Sequence, residues 1–152
     1  MSRKLIAALA LLTTASLVSL PLAAEEKKER ASKDDYELDV SASSTDVGVG
    51  ENGTFSVVIR AKNKTKIHPQ APLTVKLSST DGVTLAKAKL SREDVKKAEG
   101  VKDPDLRTQL TGAKEGEQKV TAEISFFLCT DAWCQRMNDK VELAVNVGKS
   151  KS

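Results

Sequence analysis

Val120 to Val147 reads VTAEISFFLCTDAWCQRMNDKVELAVNV, two runs of alternating apolar residues joined by the cluster Cys129-Thr130-Asp131-Ala132-Trp133-Cys134. A period of two marks strands rather than helix. With the two cysteines facing each other across the end of a hairpin, Phe126 opposes Met137, Ala122 opposes Val141 and Val120 opposes Leu143, while Phe127 meets Arg136. Apolar residues then meet on one face. A slip of one residue would send each of these side chains to the wrong side of the sheet. The same register sets Ile124 against Asp139, and a bulge near Asn138-Asp139 is the expected relief.

Outward from this hairpin, short alternating runs recur at Tyr36 to Val40, Thr54 to Ala61, Leu73 to Leu77, Val83 to Ala86 and Leu106 to Leu110. Between them lie turn signals: Gly48 to Gly53, Asn63 to Thr65, Asp81-Gly82 and Gly112 to Gly116. Together with Val120 to Cys129 and Val141 to Val147, this spacing predicts an all-β chain folded as an immunoglobulin-like antiparallel β-sandwich. Ser91 to Gly100 breaks the pattern with a capping serine, acids in the first turn and a glycine at the stop position, so one short helix is expected there. Pro104 then returns the chain to an extended form.

The chain has 152 residues, 39% hydrophobic and 30% charged, the content of one ordinary domain rather than a coil or a membrane bundle. A net charge of +3 is too small to argue for nucleic acid, and 3% aromatics disfavours base stacking. His68 is the single histidine, which argues against metal sites built on two imidazoles and against a serine-histidine-aspartate triad; it reads as a solvent-exposed loop residue.

Residues 1–24 open with Arg3 and Lys4, continue through an apolar stretch and end at Ala23-Ala24, the pattern of a secretory signal peptide rather than an uncleaved anchor. Residues 25–35 are expected to be a flexible charged leader, 36–148 the domain and 149–152 a disordered tail. No later segment has the length or hydropathy of a membrane span, so no stable insertion is expected once the signal is removed. A periplasmic or secreted location follows, where a disulfide persists.

Cys129 and Cys134 are the one local pair that carries chemistry. As a staple, a bridge closing so short a loop constrains the unfolded chain by only about 2 kcal/mol, against about 4 kcal/mol or more for a long loop. As an exchanging pair at a hairpin end, it would be open to an incoming thiolate and would separate without unfolding the core. Both readings stand on these residues. Phe127 and Trp133 are candidates for shielding the sulfurs, and Asp131 and Arg136 for tuning them electrostatically, with opposite signs. Met137 would complete a soft set for monovalent copper, but has a sufficient role opposite Phe126. No cofactor and no resident metal are expected.

Several pieces in fixed order resemble a known family: Gly53 to Ile59, His68 to Leu77 (HPQAPLTVKL), Gly82 to Leu85, Gly116 to Val120, and Ile124 to Cys129 leading through Cys134 to Leu143. That family is the N-terminal periplasmic domain of the thiol:disulfide interchange protein DsbD, and the likeness runs from about Tyr36 to Val147. Leu90 to Asp105 contains no aromatic residue where that family has an aromatic cap loop. The resemblance implies an immunoglobulin-like electron carrier, rather than an independent enzyme, whose Cys129 and Cys134 relay reducing equivalents to other exported thiol and disulfide proteins. A separate membrane reductase would be the donor. The alternative is a non-catalytic secreted binding or assembly domain with a structural hairpin disulfide.

Overall fold

Alternation becomes two stacked sheets in the computed structural model, which describes residues 31–96 and 102–149. The strands in chain order are β1 (Tyr36–Asp39), β2 (Asp46–Gly48), β3 (Asn52–Ala61), β4 (Lys66–Ile67), β5 (Thr74–Ser79), β6 (Val83–Leu85), β7 (Lys89–Ser91), β8 (Asp105–Gly112), β9 (Gly116–Cys129) and β10 (Cys134–Gly148). One sheet has the order β1-β3-β8-β6; the other has β2-β10-β9-β5-β7, with β4 also pairing β9. The all-β sandwich expected from the sequence is the observed architecture, and all seven anticipated strands are present. Phe55, Val57 and Ile59 of β3 face Ile124, Phe126 and Leu128 of β9 across a core whose main side chains are closed to solvent.

β9 and β10 pair in the predicted register along their whole length, from Cys129 against Cys134, through Phe126 against Met137, to Gly116 against Val147. The expected bulge is absent: Ile124 stands directly opposite Asp139 in an unbroken ladder. Here a hydrogen-bonded cluster replaces the bulge. The Asp139 carboxylate accepts from the Tyr36 hydroxyl at 2.7 Å, from Lys33 Nζ at 2.8 Å and from the Lys140 backbone N–H at 2.8 Å. Tyr36 meanwhile lays its ring edge-on to Phe126 with centroids 5.0 Å apart. An acid on the core-facing side of β10 is thus satisfied at the rim, as a buried charge requires. Burial pushes the Asp139 carboxyl upward, but the bonds from Lys33, Tyr36 and Lys140 outweigh it and hold it below the usual carboxylate range. For Tyr36, burial and then the neighbouring carboxylate push the phenol well above its ordinary value.

The helix expected at Ser91 to Gly100 is realised as one 3-10 turn, Arg92–Asp94. Asp94 accepts the Ser91 N–H at 2.9 Å, so the capping signal is real. Beyond it Val95 turns extended and bridges Leu106, which draws the chain back to the sheet after a single turn. Residues 97–101 lie outside the described residues, as do the signal peptide, leader residues 25–30 and tail residues 150–152. Leader residues 33–35 form a 3-10 turn behind Ser32, and the Ala31 N–H donates to Gln135 Oε1 at 3.1 Å.

Three short strands and the first half of β10 extend the sequence reading. β2 runs parallel to β10 at Asn146–Gly148. Its turn reaches Gly112, where Gly50 N–H donates to the Gly112 carbonyl at 2.8 Å. A Cβ at Gly112 would fall 2.5 Å from the Gly48 carbonyl oxygen, so only glycine permits this approach between the sheets. Between Cys134 and Val145 the edge of β10 away from β9 pairs with no described strand. Among the described residues no helix is long and apolar enough to cross a membrane.

Replacing Asp139 with Asn should lower stability at pH 7 by about 2 kcal/mol, the scale of hydrogen bonds to a charged group. Because the folded carboxyl titrates below its unfolded value, its contribution is full above that unfolded value and fades as pH falls through the folded one. Urea unfolding of wild type and D139N at pH 7 and pH 3 should therefore show the gap narrowing at the lower pH.

Candidate functional site

Cys129 ends β9 and Cys134 begins β10, directly opposite in the ladder with Cα atoms 4.1 Å apart, and they are disulfide-bonded. Strand parity puts the pair on the outer face of the sheet, away from Phe126 and Leu128. The two halves of the bridge differ in surroundings. β9 is an interior strand at this level, because β4 pairs it on its other side with Lys66 opposite Cys129; β10 is an edge. Cys129 is consequently 1% exposed, whereas Cys134 is exposed. The turn between them is braced by Thr130, whose N–H donates to the Trp133 carbonyl at 2.8 Å and whose hydroxyl accepts from the Ala132 and Trp133 N–H groups.

Phe127 is half-buried on the outer face two residues before Cys129, opposite Arg136, and Trp133 is half-buried in the turn. Asp131 is fully exposed and pairs with Lys66 at 3.2 Å. Arg136 donates from Nε to Ser125 Oγ at 2.9 Å. Both candidate tuning residues are thus engaged elsewhere. Met137 is 8% exposed on the core face opposite Phe126, so the sheet itself separates it from the two cysteines, and the copper set is not assembled. Among the described residues, no three His, Cys, Asp or Glu side chains gather as a metal site.

His68 is half-buried rather than a free loop residue. Its Nδ1 accepts from the Gln70 and Ala71 N–H groups at 3.1 and 2.9 Å, its N–H donates to the Phe127 carbonyl, and its own carbonyl accepts from Arg92 Nη2 at 2.7 Å. This ring caps the turn that hands β4 over to β5.

A second feature was missed in the sequence: an open groove of about 600 Å³ on the outer face of the larger sheet. β9 forms its floor with Glu123 and Ser125, β5 and β7 supply Lys76 and Lys89 on one side, and β10 supplies Arg136, Asn138 and Lys140 on the other. Only the strand order brings these residues together.

No protein family matches the chain, and no curated protein matches it. Among solved structures, it is similar to domains 4 and 5 of the S-layer protein SbsC, with a TM-score of 0.42 and 17% identity over 74% of this chain and 51% of that one. The chain thus spans about half the length of that structure. It is also similar to the cohesin module of a family 33 glycoside hydrolase from Clostridium perfringens, with a TM-score of 0.41 and 12% identity over 76% of this chain and 97% of that one. These likenesses assign no family.

Replacing both cysteines with alanine should cost about 2 kcal/mol, the chain-entropy value for so short a loop. The strand ladder should persist, because β9 and β10 pair far beyond the bridge. Far-UV circular dichroism with denaturant titration checks both parts.

Proposed function

We propose that the chain is an exported β-sandwich module that acts by binding or assembly, and that its disulfide fixes a hairpin tip rather than carrying electrons. The burial of Cys129 carries this reading. In thiol exchange, an incoming thiolate attacks one sulfur and expels the other as a thiolate, at a rate that depends on access and on the leaving group. Here the accessible sulfur belongs to Cys134, and attack there must expel the Cys129 thiolate into a closed position between β4 and β10. A poorly solvated anion is a poor leaving group. Attack on Cys129 itself is blocked by the same burial. Lys66, the cation opposite Cys129, is already paired with Asp131.

An extracytoplasmic location is part of the proposal. It rests on the disulfide together with the signal-like first 24 residues.

The exposure of Cys134 favours a second reading, the relay between a membrane reductase and exported disulfide proteins that the sequence resemblance implies. Equilibration with glutathione and thioredoxin buffers separates the two. A reduction potential below about −300 mV is expected for a structural bond. A value between about −270 and −200 mV, the poise of thioredoxins and glutaredoxins, would sink the structural reading.

A further inference from the structure

We infer that the groove on the outer face of the larger sheet is a docking surface for an acidic, extended polypeptide segment. This rests on the reading of the chain as a binding module and names its surface and partner chemistry. Backbone register forces the cations together. Lys76 of β5 stands directly opposite Lys89 of β7, and neither makes an ion pair with a described residue. Like charges in direct cross-strand opposition disfavour the sheet unless something neutralises them. Continuing across the same row, Lys76 opposes Glu123 of β9, and Glu123 opposes Lys140 of β10. One row thus reads Lys89, Lys76, Glu123, Lys140, with Arg136 on the same face four residues back along β10.

The carboxylates near this face do not balance it. Asp139 touches the groove, but its carboxylate is held by Lys33 and Tyr36. Glu142 is shared between Lys140 and Lys119. Glu123 alone remains, against Lys76, Lys89 and Arg136, none of which makes an ion pair with a described residue. The depression gathers these charges instead of dispersing them over a convex surface, and that favours an anion lying among them.

Charge complementarity therefore calls for a partner with several carboxylates. Side-chain chemistry selects the class. The lining contains no aromatic ring on which a sugar face could lie. Lysines act as mobile point charges, suited to carboxylates on flexible side chains. In an extended segment, carboxylates at alternate positions stand about 7 Å apart on one side, within reach of lysines on neighbouring strands spaced about 4.8 Å apart. Thr74, Ser125 and Asn138 add polar groups between the cations.

The test uses a fluorescent octaglutamate peptide, an octaglutamine control and polygalacturonate, titrated at low and at physiological salt into the protein and two folded variants. K76E/K89E reverses two groove cations; K102E/K114E makes the same net-charge change at exposed positions outside the groove. Octaglutamate should bind, weaken with salt, and lose about tenfold or more in affinity in K76E/K89E but not in K102E/K114E, while octaglutamine stays unbound. Equal loss in both variants would reduce the effect to net charge and overturn the inference. Absence of octaglutamate binding, or tighter polygalacturonate binding that K76E/K89E abolishes, would also overturn it, the latter in favour of an acidic glycan. None of these results bears on the disulfide. Failure of the binding-module reading appears separately, in the reduction potential of the same proteins.

Discussion

The register of β9 on β10 is the constraint from which the rest of the molecule follows. Setting Cys129 against Cys134 also sets Phe126 against Met137 and Val120 against Leu143, so the two longest strands put a continuous apolar face into the core. The opposite faces of the same strands then carry the disulfide, Arg136, Lys140 and Glu123. Because side chains alternate with a period of two, a slip of the register would move all of these groups to the opposite face together. The sheet accepts one misfit under this regime, Asp139, and solves it by bringing a tyrosine and a lysine from the start of the domain rather than by bending the strand.

Much of this was legible in the residues because strands with one buried face advertise it. The hairpin register followed from two cysteines and a handful of apolar pairs, and every anticipated strand formed. What escaped notice has identifiable causes. β2, β4 and β7 are two or three residues long, too short to show any period. The first half of β10, Gln135 to Lys140, is largely polar because its outer face and one edge meet solvent, so its strand character shows only through its partner. The helix signal at Ser91 was sound for the cap, but pairing of Val95 with Leu106 overrode the local preference for further turns. Asp139 looked like a mismatch because Tyr36 and Lys33 lie about a hundred residues away in the chain.

The same logic separates what was legible at the site from what was not. That two sulfurs meet at a hairpin end is a local fact, and the spacing announced it. That one of them is closed to solvent depends on β4 pairing beside Cys129, which no local pattern records. The role of His68 was hidden similarly: its carbonyl is held by Arg92, and its ring organises a turn whose importance appears only when β4 and β5 are seen to share β9 as a neighbour. The basic groove is a property of strand order, since β7, β5, β9 and β10 are adjacent in the sheet but scattered along the chain.

Between Cys134 and Val145 the outer edge of β10 pairs with no described strand, and an unpaired edge is the geometry that lets one protein molecule template another into fibrils. Asp139 sits midway along that edge, its charge aimed inward and its oxygen already occupying the N–H of Lys140. A foreign strand arriving there would have to evict a carboxylate and strand its ionic partners. A single acidic residue thus closes the sheet at an edge that meets no further described strand, with its charge and hydrogen bonds already committed to groups of the same chain.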